Sequence, residues 1–423
     1  MSRLNVDAIH SEDGADACIE LADNKNVTFK GNVAVDGTIP ADKLTGTLPA
    51  LNASNLTSLP ASGINRNLLA NGAMQVAQRS VGPRDFGGGK MTVDRFHTNA
   101  GWTDELPKSS QHALTSSDTG PWEKGFRYSL HGQNGNQTGG EAANRYVSFV
   151  YDVEASVMAT SGWDYTDSSS KVVLSFWVKS SVAQTFYGNL VTKVGTTKSF
   201  PFSTGSLSAN TWTKVTKVIP GHADLAFANN ATNGFEMYWW MYAGSNKTDA
   251  SVSLDAWMTN DEAKQTPVST ATWFTTNDST FELTGVKLEV ADAATEYDHK
   301  NFTEDLWECR RYCQVSHGDD NDFLFGPGYE GGNGSFYLPM MLNPPMRGSP
   351  SMQIHSGDWK QVGQAGQSTN YTGPMTAYDP QPGPIYTSLL FWKDTDYPSS
   401  KEGRTQWMRA DSDGTYVSLE AEI

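Results

Sequence analysis

Short runs in which apolar and polar side chains alternate recur through the middle of this chain, and they constrain its fold more than any other feature. The pattern is clear in Val173-Leu174-Ser175-Phe176-Trp177-Val178-Lys179 and in Trp212-Thr213-Lys214-Val215-Thr216-Lys217-Val218. A strand sends successive side chains to opposite faces, so a period of two marks a sheet with one buried face. Further runs of this kind bring the expected strands to Tyr146–Val153, Val172–Lys179, Thr185–Val194, Trp212–Ile219, Glu236–Tyr242 and Thr280–Val290. Turn signals at Asn134-Gly135, Pro220-Gly221 and Asn233-Gly234 punctuate them. Many short strands between polar turns predict a β-sandwich, or jelly roll, over residues 67–300. Composition agrees. Charged residues make up 18% of the 423, against roughly 25% in ordinary soluble proteins, and helix surfaces are where Lys and Glu usually collect.

The flanks differ from this middle. Residues 1–66 mix strand-like pieces (Asn26–Lys30, Asn32–Val35) with Gly31, Gly37 and Gly46, then pass into LTGTLPALNASNLTSLPAS. Its leucines, at 44, 48, 51, 56 and 59, follow no helical period, and Pro49 and Pro60 interrupt it. So few bulky apolar groups cannot enclose a core, and the texture predicts an extended segment intertwined with identical copies. FTEDLWECRRYCQV, residues 302–315, reads as a helix. Thr303 is its expected N-cap, and Glu304 and Asp305 suit the dipole of its first turn. It lies in a connecting segment, 301–316, that leads to a distal β domain at 317–423.

The net charge is −16 and the isoelectric point about 4.9. That surface repels phosphate backbones, so nucleic acid is not an expected partner. No run approaches the roughly 18 apolar residues of a membrane span, so no membrane insertion is expected. The opening MSRLNVDAIHSEDG lacks the apolar core of a signal peptide, which points to synthesis in a cytoplasm and argues against a secreted carbohydrate-binding protein. Cys18, Cys309 and Cys313 are too few for a disulfide framework and read as packed thiols.

Several stretches resemble the tail-fibre and receptor-binding proteins of bacteriophages, marine and cyanobacterial ones especially. VTFKGNVAVDGT and LTGTLPALNASNLTSLPAS resemble virion-proximal shaft segments. NLLANGAMQVAQRS with TVDRF resembles the opening of the central domain. LSFWVKSS, TWTKVTKVIPG and FELTGVKLEVADAATEYDHKNFTEDLWECRRYCQ resemble its later strands and helix, and LPMMLNPPMRGSPSM and SLEAEI the distal part. The resemblance covers most of the chain in order, and Thr280 to Gln314 is its most specific run. It implies a carbohydrate-binding-module-like jelly roll, a homotrimer, a virion location, and tail or capsid proteins as partners of the N-terminal segment. The expected fold is therefore mainly β: an extended intertwined N-terminal shaft, a jelly-roll centre, a short α-helix and a distal β domain.

No catalytic constellation accompanies it. GxSxG, HExxH and P-loop patterns are absent, and Gly87-Gly88-Gly89-Lys90 reads as a glycine turn. Asp94, Glu141, Asp152, Glu236 and Asp255 supply carboxylates, but nothing selects the pair a glycosidase needs. Asp94-Arg95 reads as a structural ion pair or turn cap. Glu296, Asp298 and His299 read as a polar lead-in to the helix, and Asp319–Asp322 as a solvated loop without the EF-hand pattern. No cofactor, metal ligand or catalytic residue is assigned. A host-surface glycan is the expected ligand. Sugars need aromatic faces beside polar groups, which selects Trp102, Asp104, Trp163, Tyr165 and Trp273 in the central domain and Tyr329 and Tyr337 in the distal one. The expected function is non-catalytic adsorption to host glycan. The competing expectations are a capsid-attached fibre or tail component without receptor binding, and a polysaccharide-depolymerising tail spike.

Overall fold

The chain divides into two units, Met1–Ser58 and Leu59–Ile423. The computed structural model describes residues 66–89, 91–318, 328–330, 335–355, 359–363, 368–371, 376–378, 386–392, 405–410 and 415–422, all in the second unit. Residues 1–65, which carry the shaft expectation, lie outside the described residues, as does the 319–322 loop.

The alternating runs become two facing antiparallel sheets. In chain order the strands are β1 (Arg84–Asp85), β2 (Phe96–Gly101), β3 (Lys108–Ala113), β4 (Tyr128–Gln133), β5 (Tyr146–Glu154), β6 (Lys171–Ser180), β7 (Gln184–Thr192), β8 (Lys198–Leu207), β9 (Thr213–Pro220), β10 (Asn233–Ala243), β11 (Met258–Thr259) and β12 (Thr280–Val290). The first sheet runs β1-β3-β4-β12-β6-β9 and the second β11-β8-β7-β10-β5-β2. Two short helices, α1 (Ala155–Ala159) and α2 (Thr272–Thr275), lie in the connections.

Alternation decides what each strand buries. On β6 the inward residues are Val172, Leu174, Phe176 and Val178; on β10 they are Phe235, Met237, Trp239 and Met241. Edge-on contacts such as Phe176 against Trp239, 5.9 Å between centroids at 89°, lock the two layers. Burying each such ring contributes about 2–3 kcal/mol. On β12 the phase changes partway. Phe281 and Leu283 point inward, then Val286 and Leu288. Gly285, at φ +62°, sits in a bulge where the ladder to β6 shifts register. The extra residue returns the apolar set to the core. Asn233-Gly234, expected as a turn, instead opens β10, again at a register shift.

The helix is shorter than the sequence suggested. α3 spans Phe302–Arg310. Its N-cap is Asn301, not Thr303: the Asn301 side chain accepts from the Glu304 amide while the Glu304 carboxylate accepts from the Asn301 amide. Asp305 and Cys309, one turn apart, form its buried face. Cys313 is not on the helix. It opens β13 (Cys313–Gly318), because Tyr312 and Arg311 turn onto the sandwich, Arg311 bonding Glu154 at 2.7 Å.

The chain continues as β14 (Gly328–Glu330), β15 (Ser335–Met341), β16 (Ser351–His355), β17 (Trp359–Gly363), β18 (Ser368–Tyr371), β19 (Thr376–Tyr378), β20 (Tyr386–Trp392), β21 (Thr405–Ala410) and β22 (Thr415–Glu420). They form a three-stranded sheet, β13-β22-β16, and a seven-stranded one, β18-β17-β21-β14-β15-β20-β19. Buried charge ties the end of β22 to the sandwich. Arg79 reaches Glu420 at 3.0 Å and Glu422 at 2.9 Å, and Arg95 pairs with Glu422. Arg95 also lies 3.6 Å above the Tyr312 ring. Asp94 and Arg95, read as a structural ion pair or turn cap, both hold structural roles but with different partners: Asp94 faces Arg79 at 3.6 Å and accepts from the Gln78 amide at 3.0 Å.

Candidate functional site

The outer face of the second sheet carries a polar and aromatic cleft. Glu236, Tyr238 and Trp240 alternate with the core residues of β10 and point away from them. β5 and β7, its neighbours, contribute Tyr146 and Val191. The segment after β10 folds back over this face: the amides of Gln265 and Thr266 bond the Lys247 carbonyl, and the Gln265 side-chain oxygen accepts from the Asn189 side chain at 2.7 Å. The result is a cleft of about 200 Å³ lined by Asn99, Tyr146, Glu236, Tyr238, Lys247 and Asn260, among others.

The side chains are held in place. Tyr238 and Trp240 stack with centroids 5.0 Å apart and planes at 2°, and Tyr146 meets Trp240 edge-on at 6.4 Å. The Trp240 indole N–H donates to Asn189 at 2.8 Å. Tyr146 is pressed down where Gly101 gives it room: a Cβ there would come within 2.5 Å of its ring. The Tyr238 hydroxyl donates to Glu236 at 2.5 Å, and Lys193 pairs with the same carboxylate at 2.8 Å. Burial, and then the Glu236 charge, push the Tyr238 phenol well above its ordinary range, so it stays a donor. The Lys247 ammonium lies 4.9 Å from the Tyr146 centroid and 5.8 Å from that of Trp240, with no carboxylate partner among the described residues. The Asn260 side-chain oxygen is buried without a hydrogen bond. Aromatic walls, donors and acceptors thus face one space, as a carbohydrate ligand requires.

A second cleft, of about 280 Å³, lies near α3. Of its charges, Arg311 pairs with Glu154 and Arg95 with Glu422, and the guanidinium of Arg95 covers the faces of Tyr151 and Tyr312.

The sequence candidates meet different fates. Trp102 is 73% exposed, in a left-handed backbone conformation at φ 59°, directly after Gly101 and so at the Tyr146 end of the cleft. Asp104 is committed to structure: Arg145 grips both its oxygens at 2.6 Å and the Gly139 amide adds a bond at 2.7 Å, which hold its carboxyl below the ordinary range. Trp163 and Trp273 do not present faces to a ligand, contrary to expectation. Both are core residues, 5% and 0% exposed, because the loop that carries Trp163 and the short helix α2 that carries Trp273 turn these rings inward. Tyr165 packs edge-on against Phe227 at 5.0 Å, beside Trp163. The side chains of Tyr329 and Tyr337 lie outside the described residues, although their backbones pair between β14 and β15. Sequence reading missed Tyr146, Tyr238 and Lys247. The first two were available from strand alternation, whereas Lys247 reaches the site only through the fold-back of its loop.

No protein-family model matches the chain, and no curated protein matches its sequence. Among solved structures it is similar to the enzymatically active domain of tailspike protein 4 of bacteriophage CBA120, at 10% identity, 53% of this chain, 21% of that one and a TM-score of 0.29. It thus spans 21% of that tailspike domain. It is also similar to a family 11 carbohydrate-binding module from Clostridium thermocellum, at 13% identity over 49% of this chain and 95% of that one, TM-score 0.23. A third is the tandem family 22 carbohydrate-binding modules of Paenibacillus barcinonensis Xyn10C, at 10% identity over 82% and 98%, TM-score 0.25. Scores this low carry no argument about what the chain does, which rests on its own geometry.

Proposed function

We propose that this chain is a non-catalytic adsorption protein of a bacteriophage virion, a tail-fibre or spike subunit, and that it holds host-surface glycan in the cleft over β10. One observation carries the reading: the Tyr146, Tyr238 and Trp240 cluster shares a cleft with Lys247, Asn99 and Asn260. The half-buried Tyr146 and Tyr238 rings suit sugar C–H surfaces, with the buried Trp240 backing them, and the ammonium and amides suit hydroxyls. Trp102 extends the aromatic surface at one end. The phage assignment rests on the resemblance of the segments quoted above. The working form is a homotrimer joined to tail or capsid proteins through residues 1–66. Three weak sites per fibre then act by avidity, since linked binding raises apparent affinity without new contacts.

Binding of the labelled full chain to host cells, and to an array of their surface glycans, tests this. Tyr238→Ala and Lys247→Ala are each expected to cost about 1 kcal/mol per site, roughly a fivefold loss, and Lys247→Ala, which removes no packed ring, keeps the wild-type melting temperature. A wild-type chain that ignores host cells, or a double variant that binds them equally well, sinks the assignment. New reducing ends appearing on a host polysaccharide would overturn the non-catalytic part.

A further inference from the structure

The outer face of the first sheet brings together two imidazoles and a carboxylate from distant parts of the sequence. His112 stands on β3, His131 on β4 and Glu282 on β12, three adjacent strands. In register, His131 has Ser110 opposite it on one side and Glu282 on the other, with His112 two residues beyond Ser110. One ligand atom of each of the three lies within 4.8 Å of the others. The imidazole rings stack with centroids 3.7 Å apart and planes at 20°. His131 and Glu282 are each only 7% exposed, while His112 is exposed. The carboxylate is oriented from behind. Ser129 donates to one oxygen at 2.7 Å and Lys179 pairs with the other at 2.9 Å, itself shared with Asp118 at 2.9 Å.

We propose that His112, His131 and Glu282 bind a divalent transition-metal ion, zinc by the chemistry of the ligands. Two imidazoles and one carboxylate form a borderline donor set that suits zinc, whereas calcium and magnesium take oxygen ligands. Ser129 and Lys179 leave lone pairs on the Glu282 oxygens and fix their direction, as groups behind metal ligands do. A tetrahedral ion with bonds of about 2.0–2.2 Å sets its ligand atoms roughly 3.3–3.6 Å apart. An imidazole binds an ion in its own ring plane, so the stacked rings part on loading, and His112, the exposed one, is the ligand placed to swing out of the stack as the ligand atoms close to that spacing. The backbone beside it is held, the Gln111 amide bonding the Val81 carbonyl at 2.8 Å, so the movement is that of the exposed side chain. Once bound, the ion cross-links β3 and β4 to the central strand β12. The site lies on the opposite sheet from the glycan cleft, and neither depends on the other.

Zinc titrated into the full chain after chelator stripping tests the proposal. One ion per chain is expected, with a rise in melting temperature. His112→Ala removes an exposed side chain and leaves the core intact, and it is expected to weaken binding by about tenfold or more. Glu282→Gln is expected to do the same, while His222→Ala, at a half-buried histidine elsewhere, leaves zinc affinity unchanged. A chain that takes up no zinc, or one whose zinc affinity survives His112→Ala undiminished, overturns the site.

Discussion

Asp118 shows how one side chain joins three elements, and its ionisation gives a measurable handle on the sandwich. Burial alone would raise its carboxyl. The Trp212 indole N–H at 3.0 Å, the Thr115 amide at 3.0 Å and the Lys179 ammonium at 2.9 Å favour the charged form and outweigh burial, bringing it down to about 2 from an ordinary 3.8. A carboxyl lowered on folding stabilises the native state above its unfolded value, and that contribution is lost as the pH falls through the folded one. The Asp118 contribution is thus whole above about pH 4 and gone near pH 2. It amounts to roughly 1–2 kcal/mol once the 17% exposure of the side chain is allowed for. Urea unfolding of the wild type and Asp118→Asn at pH 7, 4 and 2 is expected to show a stability gap that narrows between pH 4 and 2. A gap that stays constant across this window would contradict the assignment. The tryptophans make the complementary point. Trp102 and Trp273 look alike in sequence, each among small polar residues, yet one is 73% and the other 0% exposed. Only the path of the loop decides between them.

At the scale of elements, the sequence revealed what alternation can encode. Six strands were visible because large apolar residues recur on their inward faces. The double phase of TFELTGVKLEV marks even the bulge at Gly285. The strands FHTNAG, KSSQHA and YSLHGQ escaped, because their outward residues are His, Ser, Asn and Gln and few inward ones are large. The helix boundary escaped because propensity continues through Arg311 and Tyr312, while the pull of Glu154 and the pairing of Cys313 with Glu420 end it. The cleft was half legible: alternation sets Tyr238 and Trp240 on the outer face, but nothing local brings Lys247 over them. Least legible of all was the return of β22, since an ion pair between Arg95 and Glu422 leaves no local pattern. That pair supports a prediction. Removing one partner of a buried ion pair strands the other charge, at a cost of about 3–5 kcal/mol. Arg95, 2% exposed, keeps only the Asp152 carbonyl and the Tyr151 and Tyr312 rings when Glu422 is lost. Glu422→Ala is therefore expected to lower unfolding stability by about 2–4 kcal/mol, the lower end reflecting 15% exposure of Glu422. Arg95→Met, which removes the stranded charge, should recover part of the loss in the Glu422→Ala background. Denaturant titration of the four-member set checks both.

The molecule as a whole has features that a solitary chain does not explain. Residues 1–66 hold few bulky apolar side chains for their length, so burial within one copy cannot offset the cost of ordering the chain. Identical copies wound together, as proposed, would supply the missing apolar neighbours. On α3, moreover, Phe302 and Trp307 are 53% and 48% exposed, large apolar groups left in water on a helix whose Asp305 and Cys309 are buried. A helix in a solitary chain would normally bury its aromatic residues in preference to an aspartate. In a homotrimer both features have partners, and the net charge of −16 per chain limits association beyond that closed assembly. Light scattering of the full chain at micromolar concentration is expected to give three times the 46.1 kDa chain mass. Trp307→Glu, which places a charge where the trimer would exclude water, is expected to shift the mass toward a single chain without lowering the stability of the sandwich. A wild-type mass of one chain would remove the trimer, and with it the avidity on which weak glycan sites depend.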